Sequence, residues 1–179
     1  KKRHPGATVV FIGPCIAKKS EVKRYKDAGK VGADYVLTFD ELYAMFLAKN
    51  IDPEAMASSD VQQGSKYGKN FATSGGVSAA VQEVLAEEKF DMPVSCLKCS
   101  GAAECKKALM LLRVGKLNET IIEGMACEGG CVNGPAKISD VRESVGMRRQ
   151  LMLSVDDRSI ADNLEMSDFK EIDMKDGRN

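Results

Sequence analysis

One stretch of the sequence, MACEGGC at residues 125–131, combines residue types and a spacing that suit metal chemistry. Cys127 and Cys131 are separated by Glu128 and two glycines. Iron–sulfur clusters take thiolates from short loops in which glycine lets backbone amides approach the sulfides. The C-x3-C spacing differs from the C-x2-C of ferredoxins and zinc ribbons, so a plain zinc site is less natural. The stretch therefore predicts a cluster-binding loop.

A second stretch, FIGPCIAKKSE at residues 11–21, places Cys15 shortly before Lys18 and Lys19. A thiolate-bound cluster is anionic, and a buried anion needs nearby positive charge, which two lysines can supply. Taken alone, Cys15 is more typical of a small buried apolar side chain, and a lysine pair is more typical of a solvated face. The stretch becomes a candidate site only in combination with the first one.

The elements that position both stretches are predicted from apolar periodicity. The β-branched run ATVVFIGP predicts a buried strand before Cys15, and ETIIEGMA predicts a strand before Cys127. Two further strands are predicted in ADYVLTF and MPVSC. Helices are predicted in SEVKRYKDAG, TFDELYAMFLAKN, VSAAVQEVLAEEK, AECKKALMLLRVGK and residues 139–166. The second of these begins with a capping box, and the last has a break near residues 154–157. Residues 58–76 are predicted to form a long loop.

This order of elements predicts an α/β fold with a mainly parallel β-sheet and helices on both faces, in three layers. Ligands of such sheets bind beyond the carboxyl ends of the strands. Because Cys15 and Cys127 each follow a strand, we expect Cys15 and the pair Cys127 and Cys131 to meet at one sheet edge. Residues 1–179 are expected to form a single domain.

Composition excludes several classes of protein. Lysine plus arginine equals aspartate plus glutamate at 26 each, so nothing supports a nucleic-acid surface. No apolar run reaches the roughly 20 residues that a membrane span needs. The six cysteines, in a chain too long for a small disulfide scaffold, are expected to be reduced thiols, some of them metal ligands. The expected location is the cytoplasm.

Together the two cysteine stretches resemble a known enzyme family. GPCIAKKSE and EGMACEGGCVNG are similar to the second and third signature segments of the iron-only (FeFe) hydrogenase large subunit, approximately P-C-x-x-K-K-x-E and E-x-M-A-C-x-x-G-C-x-x-G. The stretch TSGGVSAAV resembles the family's T-G-G-V-x-E-A segment, with Ala79 in place of glutamate. The segments occur in the family's order, and the resemblance runs from about residue 8 to about residue 150.

The resemblance implies an iron hydrogenase that interconverts hydrogen with protons and electrons at an H-cluster, which joins a 4Fe-4S cubane to a di-iron unit. It implies that Cys15, Cys127 and Cys131 ligate the cluster, with Cys131 bridging cubane and di-iron unit. Lys18 would donate a hydrogen bond to a cyanide ligand, and Met125 would pack against the di-iron unit. Implied partners are a ferredoxin-type electron carrier and the H-cluster maturation proteins, in an anaerobic setting.

The sequence also departs from the family. The T-S-C-C-P segment is absent, and with it the fourth cubane ligand and a proton-passing cysteine. Since the chain begins with Lys1, we expect a carboxy-terminal part of the catalytic domain, inactive and without cluster by itself, with this segment and ferredoxin-like domains upstream. NGPAKI replaces the usual G-G-G-Q-P, and with CSGAAEC it resembles divergent or sensory members. Gln63 and Ser74 are further candidates for the pocket lining.

Two other functions remain open. One is a hydrogen-sensing or redox-signalling module with little turnover, and the other is a non-catalytic iron–sulfur assembly protein. Lys18 and Met125 favour a di-iron pocket over the assembly role. Cys96, Cys99 and Cys105 either hold a second metal or serve in packing, and packing is favoured because no fourth ligand is obvious.

Overall fold

The computed structural model describes residues 1, 4–59, 64–153, 155 and 157–165. Within this part of the chain the strands are β1 (Val10–Ile12), β2 (Tyr35–Leu37), β3 (Cys96–Ser100) and β4 (Ile121–Met125). The helices are α1 (Ala17–Asp27), α2 (Phe39–Ala48), α3 (Lys66–Lys69), α4 (Gly76–Glu87), α5 (Ala102–Arg113), α6 (Val141–Leu153) and α7 (Ile160–Glu165). None of these helices is long and apolar enough to cross a membrane.

The described residues form two compact units. The first unit comprises residues 1–59 and 134–140, with β1, α1, β2 and α2, and the second comprises residues 64–133 and 141–165, with the other elements. In the first unit β1 pairs in parallel with β2, and in the second β3 pairs in parallel with β4. A helix connects the two strands of each pair. The predicted α/β class with parallel strands is confirmed. The described strands lie in two separate pairs, so β1, which precedes Cys15, and β4, which precedes Cys127, do not form the one sheet edge that was expected.

The first unit is a β–α–β element in which β1 is far more exposed than predicted. Val10 is 41% exposed and Ile12 is 46% exposed, so the prediction of a buried strand is wrong. An apolar, β-branched run specifies extended backbone, but burial depends on what packs on each face of the strand. A two-stranded parallel pair has open edges and cannot enclose its own side chains.

Helix α2 begins with the predicted capping box. The Thr38 N–H donates to the Glu41 carboxylate at 2.9 Å, and Lys19 of α1 donates to the same carboxylate at 2.6 Å. The hydrogen bond from Lys19, together with those from Thr38, lowers the pKa of Glu41 to about 2. One carboxylate therefore both caps α2 and links it to α1.

We expect Glu41→Gln to remove a pH dependence of stability. Because the folded-state pKa lies below the ordinary value of 4.5, the ionised carboxylate stabilises the fold above pH 4.5, and this stabilisation is lost as the pH falls towards 2. The variant should be less stable than the wild type at pH 7, and the difference should shrink below pH 4.5. Urea denaturation followed by circular dichroism between pH 7 and pH 2.5 measures it, with Asp40→Asn in the same helical turn as the control. If the free energy of unfolding differs between the wild type and Glu41→Gln by the same amount at pH 7 and at pH 2.5, the role of Glu41 is contradicted.

The second unit holds the β3–β4 pair, whose register places Cys96 opposite Ile121 and Ser100 opposite Met125. The predicted strand MPVSC is wrong in its limits, since only its last residue lies in β3. Proline cannot donate to a strand ladder, so Pro93 is unsuited to the interior of a strand. The predicted strand ETIIEGMA is confirmed as β4.

The helices of the second unit follow the predictions with one exception. The predicted loop at residues 58–76 contains the short helix α3, which begins where the Ser65 hydroxyl accepts a hydrogen bond from the Gly68 N–H at 3.2 Å. Helix α6 ends at Leu153 and α7 begins at Ile160, so the predicted helical region is interrupted as expected. Ser154 and Asp156 of the predicted break lie outside the described residues. Glu87 of α4 accepts hydrogen bonds from the Ile160 and Ala161 N–H groups at 2.8 and 3.0 Å, which caps the first turn of α7.

Candidate metal centre

Strand β4 leads directly into residues 126–133, called here the cysteine loop. Met125, the last residue of β4, is buried at 8% exposure. Its carbonyl accepts a hydrogen bond from the Gly101 N–H at 2.8 Å, immediately after β3. The parallel pair thus fixes the point from which the cysteine loop departs, and it buries the methionine there.

The shape of the cysteine loop depends on its two glycines. Gly129 and Gly130 have φ angles of +78° and +108°, a region that side chains disfavour. The Gly130 N–H donates to the Cys127 carbonyl at 3.0 Å, which closes a turn. A 3-10 turn at Cys131–Asn133 follows, and its last N–H donates to the Gly130 carbonyl at 3.1 Å. The two cysteines therefore lie on either side of a tight, glycine-dependent reversal of the backbone.

Residues 72–75, called here the 72–75 segment, lie against the cysteine loop just before α4. The Ser74 N–H donates to the Gly129 carbonyl at 3.2 Å, and the Val132 N–H donates to the Ala72 carbonyl at 3.0 Å. A Cβ atom at Gly130 would lie 2.6 Å from three backbone atoms of the 72–75 segment. The segment and the loop are thus in contact at a distance that only glycine permits.

The end of β3 holds the cysteine loop from another side. The Gly129 N–H donates to the Ser100 hydroxyl at 2.7 Å. The backbone N–H of Ser100 donates in turn to the Glu104 carboxylate at 2.7 Å. The backbone of the 72–75 segment and the side chain of Ser100 therefore both hold the cysteine loop by hydrogen bonds.

A buried carboxylate on β4, from Glu123, was missed by sequence reasoning. Glu123 accepts hydrogen bonds from the Gly75 and Ser78 N–H groups, both at 2.8 Å. Burial raises its pKa, but hydrogen bonds from Ser78, Gly75 and Val77 outweigh burial, so the pKa lies below its ordinary value. The carboxylate thus caps the first turn of α4. Two signals were available. Glu123 is the first residue of the matched segment EGMACEGGCVNG, and it is an acidic residue inside an apolar strand, where charged residues are almost never buried without partners.

Cys15 lies in the first unit, half-buried, in the connection between β1 and α1. The Pro14 carbonyl beside it accepts a hydrogen bond from the Ala136 N–H at 3.1 Å. A Cβ atom at Gly134 would lie 2.4 Å from the same carbonyl oxygen. The segment that includes NGPAKI therefore packs tightly on the residue preceding Cys15.

Lys18 lies in the first turn of α1 and is 38% exposed at its side chain. Its ammonium donates to the Glu21 carboxylate at 2.7 Å and lies 5.8 Å from the centroid of the Phe11 ring. Lys19 pairs instead with Glu41 of α2. The two adjacent lysines therefore have different partners, and Lys18 stays beside the connection that carries Cys15.

Comparison with known proteins decides the family. A sequence profile described as "Iron only hydrogenase large subunit, C-terminal domain" matches residues 1–135. The chain belongs to this family. Among proteins of curated function, none matches the chain.

Solved structures of FeFe hydrogenases share the fold at low sequence identity. A structure concerned with oxygen inactivation of the H-cluster 2Fe subcluster has 19% identity and a TM-score of 0.62, over 95% of this chain and 58% of that one. A structure concerned with stepwise H-cluster assembly has 21% identity and a TM-score of 0.56, over 86% and 55%. An apo variant of HydA1 from Chlamydomonas reinhardtii has 21% identity and a TM-score of 0.57, over 86% and 55%. This hydrogenase-family chain thus spans somewhat more than half the length of those proteins.

The donor atoms of the cysteine loop fit an iron–sulfur cluster, which takes cysteine thiolates as ligands. Cys127 is half-buried and Cys131 is exposed, so both thiols border the surface. Within the described ranges, no group of three or more His, Cys, Asp or Glu side chains could hold a metal ion. The loop offers two thiolates, and a zinc ion or a 4Fe-4S cubane would each need two further ligands from elsewhere.

Cys96, Cys99 and Cys105 lie outside the matched cysteine motifs, and Cys99 is the buried one of the three. Cys96 and Cys99 are three positions apart on β3, so their side chains point to opposite faces of the strand. Cys99 is 2% exposed, and burial raises the pKa of its thiol. The Cys105 thiol lies 4.0 Å from the Cys99 carbonyl oxygen, over the space left by Gly124. Of the two suggested lining residues, Ser74 borders the cysteine loop and Gln63 lies outside the described residues.

Proposed function

We propose that this chain is part of one catalytic domain of an iron-only hydrogenase, and that Cys15, Cys127 and Cys131 ligate its H-cluster. The observation that supports this most is the cysteine loop, a family motif whose glycines and hydrogen bonds fix the backbone around two thiols. When bound, the H-cluster supplies the redox chemistry that interconverts hydrogen with protons and electrons. The chain's own residues bind and orient it.

Each proposed ligand has a distinct structural support. Cys127 and Cys131 are presented by the loop that Ser74 and Ser100 fix. Cys15 follows β1, and the residue before it is packed against Gly134, which comes shortly after Cys131 in the sequence. Buried Met125 would form an apolar wall that limits the access of water to the di-iron unit.

A 4Fe-4S cubane takes four thiolates, and the matched motifs supply three. Because Cys96, Cys99 and Cys105 lie outside the matched motifs, we propose that the fourth thiolate comes from the rest of the hydrogenase, and that the 179 residues alone do not turn over hydrogen. Electrons would arrive from a ferredoxin-type carrier, and the maturation proteins would insert the di-iron unit. The reduced thiols and the cluster also fit a cytoplasmic, anaerobic setting.

The experiment that tests this function uses the complete protein, matured without oxygen. Iron and sulfide content and hydrogen evolution with reduced viologen are measured on the same sample. A catalytic hydrogenase should show both a filled cluster and sustained evolution. A protein without iron would refute the proposal. Iron and sulfide without any hydrogen evolution, and without the infrared bands of iron-bound cyanide and carbonyl, would favour the assembly role.

A hydrogen-sensing role is the second candidate, and one observation favours it. The divergent NGPAKI segment packs directly on the residue before Cys15, so the departure from the family lies at the proposed site. A sensor should contain the full cluster yet evolve hydrogen far more slowly than an enzyme with the same iron content. The two measurements above separate these cases.

We predict that Lys18→Ala weakens retention of the di-iron unit in the complete protein. The proposed role of Lys18 is to donate a hydrogen bond to an anionic cyanide ligand, an interaction typically worth about 1.5–3 kcal/mol. Loss of this bond should reduce di-iron content or turnover about 10- to 150-fold. Metal analysis and the viologen assay measure the effect.

The control for Lys18 is Lys23→Ala in the same helix. Lys23 pairs with Asp27 of α1 at 2.6 Å, much as Lys18 pairs with Glu21. Thermal unfolding of the apo protein should be similar in the two variants, since exposed ion pairs within a helix contribute little to stability. Wild-type di-iron content in Lys18→Ala, or an equal loss in Lys23→Ala, would rule out the proposed role.

A further inference from the structure

The strongest unexplained feature near the cysteine loop is the buried carboxylate of Glu123. The side chain is 8% exposed and accepts two hydrogen bonds of 2.8 Å, from the Gly75 and Ser78 N–H groups. These donors are the N-cap residue of α4 and a residue of its first turn, where a carboxylate is further stabilised by the helix dipole. A buried charge with such partners is a strong constraint on the segment that supplies them.

The constrained segment is the one that contacts the cysteine loop. Gly75 ends the 72–75 segment, and its φ of +88° makes the turn into α4. Its neighbours in that segment exchange backbone hydrogen bonds with the loop at Gly129 and Val132. A chain of contacts therefore runs from the carboxylate to the backbone between the two cysteines.

The same strand supplies both ends of this chain of contacts. Strand β4 continues through Met125 into the cysteine loop, and two residues earlier it presents Glu123 to the 72–75 segment. The loop is thus fixed directly by its own strand and indirectly by the carboxylate of that strand. Any displacement of the 72–75 segment would break its hydrogen bonds with Gly129 and Val132 of the cysteine loop.

We propose that Glu123 is a positioning residue for the cluster, because its carboxylate holds the 72–75 segment against the cysteine loop. The inference rests on the proposed function, since it assigns the loop to cluster binding. Glu123 does not ligate metal in this proposal. It fixes the backbone that presents Cys127 and Cys131.

The diagnostic variant is Glu123→Gln. A glutamine keeps the shape of the side chain but offers one acceptor oxygen and places an amide donor against a backbone N–H. One of the two hydrogen bonds is lost, and a buried N–H is left without an acceptor. The 72–75 segment should therefore loosen while the strand itself remains.

The matched control is Glu87→Gln in the same unit. Glu87 is also a carboxylate that accepts two backbone hydrogen bonds at the start of a helix, from Ile160 and Ala161 at 2.8 and 3.0 Å. Glu87 takes no part in the contacts between the 72–75 segment and the cysteine loop. Any effect shared by both variants reflects general stability, and an effect confined to Glu123→Gln reflects the loop.

The experiment measures iron and sulfide loading of the complete protein by cubane absorption, at a temperature where circular dichroism shows both variants folded. Both variants should unfold at a lower temperature than the wild type. Only Glu123→Gln should bind iron about 10- to 100-fold more weakly, the usual effect of removing an outer partner of a metal site. Loading is read without any activity assay.

Wild-type loading in folded Glu123→Gln, or equal losses in both variants, would overturn the inference. If Glu123→Gln does not fold, Glu123→Asp replaces it, because the shorter carboxylate keeps its charge but cannot maintain both hydrogen bonds. Wild-type loading in folded Glu123→Asp would likewise overturn the inference, and weakened loading would support it. A wild-type protein that binds no cluster overturns the proposed function as well, whereas a loaded wild type with unaffected variants overturns only the role of Glu123.

Discussion

Replacement of Cys131 with alanine is expected to abolish hydrogen turnover by the complete, matured protein. By resemblance to the family, Cys131 would hold both the cubane and the di-iron unit, so its replacement would remove a thiolate that both parts of the cluster need. Loss of an outer-shell partner typically costs a metal site 10–100-fold, and loss of a ligand should exceed this. The viologen assay and iron analysis measure the result.

The control for this prediction is Cys96→Ala. Cys96 is a half-buried cysteine of the second unit. It lies on β3, outside the matched motifs. Its replacement should leave iron content and turnover close to those of the wild type. Hydrogen evolution that survives in Cys131→Ala would show that the cysteine loop does not carry the bridge.

The second large effect is expected from Gly130→Ala, before any cluster is added. The new Cβ would lie 2.6 Å from three backbone atoms of the 72–75 segment, at a φ of +108°. Left-handed strain costs about 1–2 kcal/mol and overpacking costs about 1–3 kcal/mol more. The free energy of unfolding should therefore fall by about 2–5 kcal/mol, measured by urea denaturation.

The neighbouring glycine provides the comparison. Gly129 also has a positive φ, but a Cβ there would have no other atom within 4 Å. Gly129→Ala should therefore cost only the strain, about 1–2 kcal/mol. If the two variants lose equal stability, the close contact between the cysteine loop and the 72–75 segment is not present in solution.

Local patterns were sufficient to predict the elements that carry the proposed ligands. The apolar run before Cys127 is confirmed as β4, and the glycines after it adopt the backbone that their type permits. The capping box at Thr38 was predictable for the same reason, because its residues are neighbours in sequence. The assignment of Cys15, Cys127 and Cys131 to one cluster came from the resemblance, and it remains a proposal.

The features that sequence reasoning missed depend on contacts between distant segments. Glu123 caps a helix that begins more than forty residues earlier, and no local pattern specifies that pairing. The exposure of β1 also depends on what packs beside it, which an apolar run does not specify. The limits of β3 follow from its pairing with β4, and this pairing begins at Cys96. The strand therefore lies after Pro93 and does not include it.

The most direct test of the central claim is infrared spectroscopy of the complete protein after anaerobic maturation. If this chain helps to hold an H-cluster, the wild type should show the stretching bands of iron-bound cyanide and carbonyl, and Cys131→Ala should lack them. Iron and sulfide in the wild type without these bands would contradict the claim, because the site would then hold an ordinary iron–sulfur cluster. Bands that persist unchanged in Cys131→Ala would contradict the assignment of the cysteine loop.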